Sequence, residues 1–180
     1  MNVPNFITLL RIILVPVIVI LLIQDSFLEA LVVFVVASVS DAVDGFLARI
    51  MKKQTVIGAY LDPIADKALL ASTFVTLAVL HVIPPWLAVI VISRDFIILL
   101  GVSVLFLMEF SVEIRPALIS KMTTVLQATT LFLALFTQSL PCRVNPVWLE
   151  IFYWTTAFFT VISGLHYMSR GFRIINNHSQ

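Results

Sequence analysis

The chain has 180 residues, a length that favours a single domain. Hydrophobic residues make up 61% of it, charged residues 12%, and the mean hydropathy is +1.09, whereas soluble domains are about 45–50% apolar and about 25% charged. A soluble core cannot bury this excess, so we expect a membrane protein whose surface faces lipid. The net charge is +1, and the sequence has no basic face wide enough to bind nucleic acid. The single cysteine, Cys142, excludes an internal disulfide or a thiolate metal site.

Six stretches are apolar and long enough to cross a bilayer as helices, which takes about 20 residues. They are residues 6–23, 27–48, 67–83, 86–108, 117–139 and 147–169. The first also resembles the apolar core of a secretory signal. However, Arg11 is the only charge before that core and no small-x-small cleavage pattern follows at Gln24-Asp25, so an uncleaved first span is the better interpretation.

Lys and Arg are distributed unevenly over the links between these stretches. The links around 24–26 and 84–85 have none, and 140–146 has only Arg143. The other links and the tail contain Arg49, Lys52, Lys53, Lys67, Arg115, Lys121, Arg170 and Arg173. Because cytoplasmic loops retain Lys and Arg, the pattern predicts an all-α integral membrane protein with six transmembrane helices and both termini in the cytoplasm.

Four aspartates flank the link between the second and third stretches, which this topology places in the cytoplasm. Asp41 and Asp44 are three residues apart, and Asp62 and Asp66 are four apart. On helices each pair would share a face, so two helix ends could direct four carboxylates into one space. The alternative is that they are solvated interface residues. A carboxylate at the centre of a span costs roughly 2.5–3.5 kcal/mol, which makes four aligned acids without a function a poor explanation.

The neighbouring residue types indicate which ligand these acids would bind. No His or Cys lies nearby, so an all-oxygen site suits Mg, Mn or Ca rather than zinc or copper. Arg49 would supply a bidentate phosphate donor. Gly45 and Ala48 leave bare helix surface where a ligand could approach the backbone. The residues alone therefore predict a metal–pyrophosphate site facing the cytoplasm.

The segment from Asp41 to Asp66 reads D-x2-D-G-x2-A-R-x8-G-x3-D-x3-D. It resembles the signature of the CDP-alcohol phosphatidyltransferase family at every defined position, and the opening residues 2–11 are also similar to that family. The resemblance implies the CDP-alcohol phosphatidyltransferase fold as one transmembrane domain over residues 1–180. It is also the sole basis for expecting a homodimer. A bacterial or mitochondrial inner membrane, with the site on the cytoplasmic or matrix side, would be its location.

The same resemblance implies roles for the acids. Asp41, Asp44 and Asp62 would bind the divalent metal, Mg²⁺ or Mn²⁺, together with the cytidine diphosphate group of CDP-diacylglycerol. Asp66 would contribute to the metal site and act as the general base on the acceptor hydroxyl, whose oxygen attacks the β-phosphorus. CMP then leaves, its charge neutralised by the metal and a nearby arginine. The remaining signature residues assigned to the CDP-diacylglycerol site are Gly45, Ala48, Arg49 and Gly58.

The acceptor alcohol is indicated by shorter strings. Ser93-Arg94-Asp95 and the segment 116–127 resemble the cardiolipin synthases that use CDP-diacylglycerol. Phosphatidylglycerophosphate synthases tend to have a further Arg where this chain has residues 99–101, Leu-Leu-Gly. We therefore expect phosphatidylglycerol as acceptor, with glycerol 3-phosphate as the alternative. Arg115 and Lys121 are candidate acceptor ligands or ordinary flanking charges, and Arg94 with Asp95 is a candidate structural pair.

Two other classes of protein are disfavoured. A transporter or proton channel would need polar residues distributed through the bilayer, whereas these acids cluster on one side. A prenyltransferase would need more spans and a D-x3-D pair in each of two loops, and Asp41 and Asp44 have the wrong spacing.

Overall fold

The structure is a computed structural model that describes residues 3–51, 56–107, 118–140 and 146–178, with side chains described over 10–40, 65–101, 119–140 and 147–169. Six helices occupy these ranges, and no strand occurs within them. They are α1 Val3–Ile23, α2 Phe27–Met51, α3 Val56–Val79, α4 Pro85–Leu107, α5 Leu118–Ser139 and α6 Pro146–His178. The all-α prediction and the number of helices are confirmed for this part of the chain.

Two helices extend by nine or more residues beyond the apolar stretches that predicted them. α3 begins at Val56 rather than at residue 67, and α6 continues to His178 rather than ending at residue 169. The apolar run marks only the part of a helix that suits lipid, whereas backbone hydrogen bonding continues through polar residues beside it. The extension of α3 matters for the site because it includes Asp62 and Asp66.

One helix among the described residues, Ile119–Ser139, is both long and apolar enough to cross a membrane. Two shorter apolar helical segments are Leu10–Ile23 and Phe27–Ser40. The remaining spans and the side on which the termini lie stay predictions.

Two sharp turns end α1 and α3 in the same way. Asp25 and His81 have φ angles of 57° and 59°, the left-handed region. The amide of Ser26 donates to the carbonyl of Leu21 at 2.9 Å, and that of Val82 donates to Leu77 at 2.9 Å. Each is a Schellman termination, which satisfies carbonyl groups at a helix end. These turns explain why α2 and α4 start within a few residues.

The chain divides into two compact units, the first formed by residues 1–85 and 131–145. In this unit α1 packs against both α2 and α3. Its buried side chains are mostly apolar and include Ile18, Leu22, Phe34, Leu69, Phe74, Leu77, Leu131 and Leu135. Arg11, on α1, is also buried, at 2% exposure. The signature segment lies wholly within this unit.

The second unit, residues 86–130 and 146–180, has a more polar interior. Its buried polar residues are Arg94, Thr123, Gln127, Thr130, Thr156, Thr160 and Ser163. Its exposed side chains include large apolar ones, for example Val125 at 65% and Phe158 at 62%. Soluble proteins normally have the opposite arrangement.

Candidate active site

The two pairs of signature carboxylates lie on two consecutive helices of the first unit. Asp41 and Asp44 belong to α2, and Asp62 and Asp66 belong to α3. Both segments are helical throughout, so spacings of three and four place each pair on a shared face of its own helix. The local geometry assumed for these pairs is therefore present.

Asp66 is the one carboxylate of the four whose side chain is described. It is half-buried, and it takes part in a polar or electrostatic interaction. Lys67, the next residue, is also half-buried and also takes part in a polar or electrostatic interaction. A half-buried carboxylate keeps access to a ligand while its surroundings restrict its rotamers.

The other signature residues occupy helical positions, although their side chains lie outside the described ones. Gly45, Ala48 and Arg49 follow Asp44 within α2, and Gly58 is the third residue of α3. Gly58 precedes the apolar stretch 67–83 that predicted the third helix, and it is helical because α3 begins at Val56. Their roles toward CDP-diacylglycerol remain predictions.

The donor set fits a hard divalent cation by its chemistry. Two carboxylate pairs, each on one continuous helix of the same unit, provide the oxygen ligands that Mg²⁺ and Mn²⁺ prefer. Among the described side chains no group of three or more His, Cys, Asp or Glu forms a metal site. Asp41, Asp44 and Asp62 are not among those side chains, so the metal site stays a prediction.

Arg94 is the centre of a polar network in the second unit. It lies on α4 and is 5% exposed. Its Nη1 donates to Oδ1 of Asp95 at 2.5 Å, and its Nη2 donates to the hydroxyls of Ser120 and Ser163, both at 2.8 Å. The pair predicted for Arg94 and Asp95 is present, and hydroxyls from α5 and α6 complete it.

Of the two candidate acceptor ligands, the structure describes only Lys121. Lys121 follows Ser120 in the first turn of α5 and has an exposed side chain. Arg115 lies outside the described residues. In the second half of α4, Leu99 and Leu100 are 53% and 47% exposed, so the two leucines of the 99–101 segment are on the surface of the second unit.

A buried polar seam between α5 and α6 was missed in the sequence analysis. Nε2 of Gln127 donates to the Thr160 hydroxyl at 3.3 Å, and the hydroxyls of Thr130 and Thr156 lie 2.7 Å apart. The seam is visible in the sequence as polar residues recurring every three or four positions in apolar helices. These positions are 120, 123, 127 and 130 in α5 and 156, 160 and 163 in α6.

Comparison with known proteins gives a consistent result. The family model for CDP-alcohol phosphatidyltransferase matches residues 1–162. The chain is 30% identical over 190 residues to the CDP-diacylglycerol–glycerol-3-phosphate 3-phosphatidyltransferase of Bacillus subtilis, covering 97% of both proteins. It is 33% identical over 186 residues to a probable phosphatidylglycerophosphate synthase of Mycobacterium tuberculosis, covering 99% of this chain and 86% of that protein.

A relative named as a cardiolipin synthase also matches. The human cardiolipin synthase (CMP-forming) is 32% identical over 193 residues, which cover 94% of this chain and 62% of the human protein. The family match extends well beyond the carboxylate signature, because it includes five complete helices and half of α6. The protein is a phosphatidyltransferase and belongs to the CDP-alcohol phosphatidyltransferase family.

Proposed function

We propose that the protein transfers the phosphatidyl group of CDP-diacylglycerol to an alcohol acceptor and releases CMP. The observation that carries this proposal is the complete carboxylate signature, with each of its halves inside one helix of the same compact unit. Such an arrangement suits a pyrophosphate-containing donor, because carboxylates can share a cation with phosphate oxygens and Arg49 can pair with them directly.

The reaction is a substitution at phosphorus, and this chain supplies its proton acceptor. Asp66 removes the proton of the acceptor hydroxyl, and the oxygen forms a bond to the β-phosphorus of the donor. The bond from that phosphorus to the bridging oxygen breaks, and CMP departs with the electron pair. Holding the two substrates side by side contributes a large part of the rate enhancement.

Asp41, Asp44, Asp62 and Asp66 would hold a divalent cation, Mg²⁺ or Mn²⁺. When bound, such a cation polarises phosphoryl oxygens and offsets the negative charge of the leaving group.

We also propose that the protein is an integral membrane enzyme with six spans and its site on the cytoplasmic side. Polar groups inside and apolar groups outside support this proposal: Arg94 and Gln127 are buried, whereas Val79 and Val89 are 71% and 63% exposed. In water these exposed side chains would favour aggregation, and in lipid they are solvated. A bacterial or mitochondrial inner membrane and a homodimer are implied by the family resemblance alone.

For the acceptor we propose phosphatidylglycerol, which would make the product cardiolipin. Asp95 neutralises Arg94 at 2.5 Å, so little net positive charge remains at this buried arginine. Residues 99–101 supply no second cation. A phosphodiester acceptor with one negative charge suits these surroundings better than a doubly charged phosphomonoester.

Glycerol 3-phosphate is the second candidate acceptor. It is favoured by the Bacillus subtilis relative, whose name specifies that acceptor and which this chain matches over nearly its full length.

One assay tests both the reaction and the acceptor. Purified protein in detergent or lipid is given CDP-diacylglycerol and Mg²⁺ with either phosphatidylglycerol or glycerol 3-phosphate, and CMP and the lipid product are measured. We expect CMP and cardiolipin with phosphatidylglycerol. Product only with glycerol 3-phosphate would overturn the proposed acceptor, and no CMP with either alcohol would count against the reaction itself. Light scattering of the same preparation tests the homodimer.

A further inference from the structure

The side chain of Arg94 connects three helices through one amino group. It starts on α4, and its Nη2 donates to Ser120 of α5 and to Ser163 of α6, both at 2.8 Å. The contact with α6 lies outside the carboxylate signature and outside the strings that indicated an acceptor. It therefore calls for a separate explanation.

Gly164, beside Ser163 on α6, leaves the space through which the stem of Arg94 passes. A Cβ atom added at Gly164 would lie 3.4 Å from Cγ and 3.9 Å from Cβ of Arg94. An alanine would be in ordinary van der Waals contact with the stem, and we expect a branched side chain such as valine to crowd it. We name Ser163 and Gly164 together the Arg94 seat, because one supplies a hydrogen bond and the other supplies room.

The Arg94 seat is connected to the first turn of α5 through the hydrogen bond between Arg94 and Ser120. Ser120 is the third residue of that helix, and its carbonyl accepts the hydroxyl of Thr124 at 3.1 Å. Lys121, the candidate acceptor ligand with an exposed side chain, is the next residue. Arg94 therefore links Ser120 of α5 to Ser163 of α6, and Gly164 leaves room for its stem.

A purely structural role explains this arrangement poorly. Three other polar contacts already join α5 to α6: Gln127 with Thr160, Thr130 with Thr156, and the Thr123 hydroxyl with the Phe159 carbonyl. A buried ion pair adds little stability, and apolar residues of similar size often stabilise a protein at least as well. The Nε atom of Arg94 has no hydrogen-bond partner among the described residues, which is an additional cost of burying this side chain.

We propose that Ser163 and Gly164 are positioning residues for acceptor binding, which hold Arg94 so that it fixes Ser120 and Lys121. This proposal rests on the proposed transfer to an alcohol. It concerns how the acceptor, and not the CDP-diacylglycerol donor, is recognised, because the network includes Ser120, which directly precedes the candidate acceptor ligand Lys121 in α5.

The test compares two seat variants with two controls. Ser163→Ala removes the hydrogen bond, and Gly164→Val crowds the arginine stem. Thr156→Ala removes a buried hydroxyl contact elsewhere in the same seam. Gly101→Val adds the same bulk at a glycine of α4 where an added Cβ would have no described atom within 4 Å. KM for the acceptor, KM for CDP-diacylglycerol, kcat and the melting temperature are measured for each protein.

In both seat variants we expect KM for the acceptor to rise about tenfold, with KM for CDP-diacylglycerol and kcat within about twofold of wild type. Ser163→Thr, which keeps the hydroxyl, should restore most of the acceptor KM. Neither control should change it. If the seat had only a structural role, the variants would have a lower melting temperature, and KM for the acceptor would not change separately from KM for CDP-diacylglycerol.

Unchanged acceptor KM in Ser163→Ala would overturn the proposal. If that variant does not fold, the comparison of Gly164→Val with Gly101→Val decides, and equal acceptor KM values in these two would overturn it. The outcome is separable from the proposed function, because CMP release by wild type in the same assay tests the reaction, whereas the seat variants test only how the acceptor is held.

Discussion

Arg94 and Asp95 are neighbours on α4, and the Nη1 atom of the arginine lies 2.5 Å from Oδ1 of the aspartate. Successive residues of a helix point in different directions, so the long arginine must fold toward the shorter carboxylate to make this pair. Asp95 remains 17% exposed while Arg94 is 5% exposed. The negative charge that neutralises the buried cation is therefore supplied from beside it in the sequence.

We predict that Asp95→Asn shifts the choice of acceptor. The asparagine keeps the size and hydrogen-bonding oxygen of the side chain but removes its charge, so Arg94 is left with a net positive charge in a buried setting. Glycerol 3-phosphate carries the larger negative charge, so its binding is strengthened more by the positive charge of Arg94 than the binding of phosphatidylglycerol is. We expect the ratio of kcat/KM for glycerol 3-phosphate to that for phosphatidylglycerol to rise about tenfold.

Measuring that ratio in one preparation protects the result from a change in stability. Breaking a buried pair commonly costs about 3–5 kcal/mol, which lowers the amount of folded enzyme but acts equally on both acceptor reactions. A ratio equal to that of wild type would mean that Asp95 does not influence acceptor choice. Glu150→Gln, which removes an exposed carboxylate of α6, is the control for loss of one negative charge.

Asp66→Asn is predicted to stop the chemistry while leaving donor binding in place. The amide cannot take a proton from the acceptor hydroxyl, and loss of a general base typically lowers the rate by about 10²–10⁴-fold. CMP release should fall by at least that range, whereas binding of CDP-diacylglycerol to the purified variant should remain within severalfold of wild type. Equal loss of donor binding and turnover would show that Asp66 is mainly a ligand.

The spacing of the carboxylates correctly predicted helical backbone at both pairs, while the site that they would form stays a prediction. Asp41 with Asp44, and Asp62 with Asp66, needed only helical backbone to share a face, and α2 and α3 provide it. The start of α3 was placed too late because hydropathy cannot recognise the polar first turns of a helix that extends beyond the apolar stretch. The run of apolar residues shows which part of a helix suits lipid. It does not show where the helical hydrogen bonds begin or end.

Most of the Arg94 network, by contrast, could not be predicted from the sequence. The sequence suggested Arg94 with Asp95 because the residues are adjacent, but Ser120 and Ser163 are 26 and 69 positions away from Arg94. Such partners depend on how α4, α5 and α6 pack, which no local pattern specifies. The polar residues that recur every three or four positions in α5 and α6 were not recognised as a polar face, and only the fold identified the arginine that Ser120 and Ser163 contact.

Removal of divalent metal is predicted to abolish turnover reversibly. EDTA in excess should reduce CMP release to background, and added Mg²⁺ or Mn²⁺ should restore it, because clustered carboxylates and a pyrophosphate repel one another without a cation between them. Zn²⁺ should restore less, since no His or Cys lies near the four acids. Full turnover in EDTA would contradict the metal site, and calcium-loaded EDTA is the control for effects of the chelator itself.

Asp25 offers a prediction about stability that is independent of the site. Its φ of 57° closes α1, and a residue with a Cβ in that conformation costs roughly 1–2 kcal/mol, less for Asp than for most others and nothing for glycine. Asp25→Gly should therefore keep or raise the melting temperature of the purified protein in detergent. Asp25→Val should lower it, because a β-branched side chain tolerates this backbone worst.

CMP release at low temperature should be the same in both, since the turn lies away from the carboxylate segment in the sequence and carries no proposed role. Equal melting temperatures for the glycine and valine variants would mean that the turn relaxes to another conformation at little cost, so that Asp25 does not determine where α1 ends.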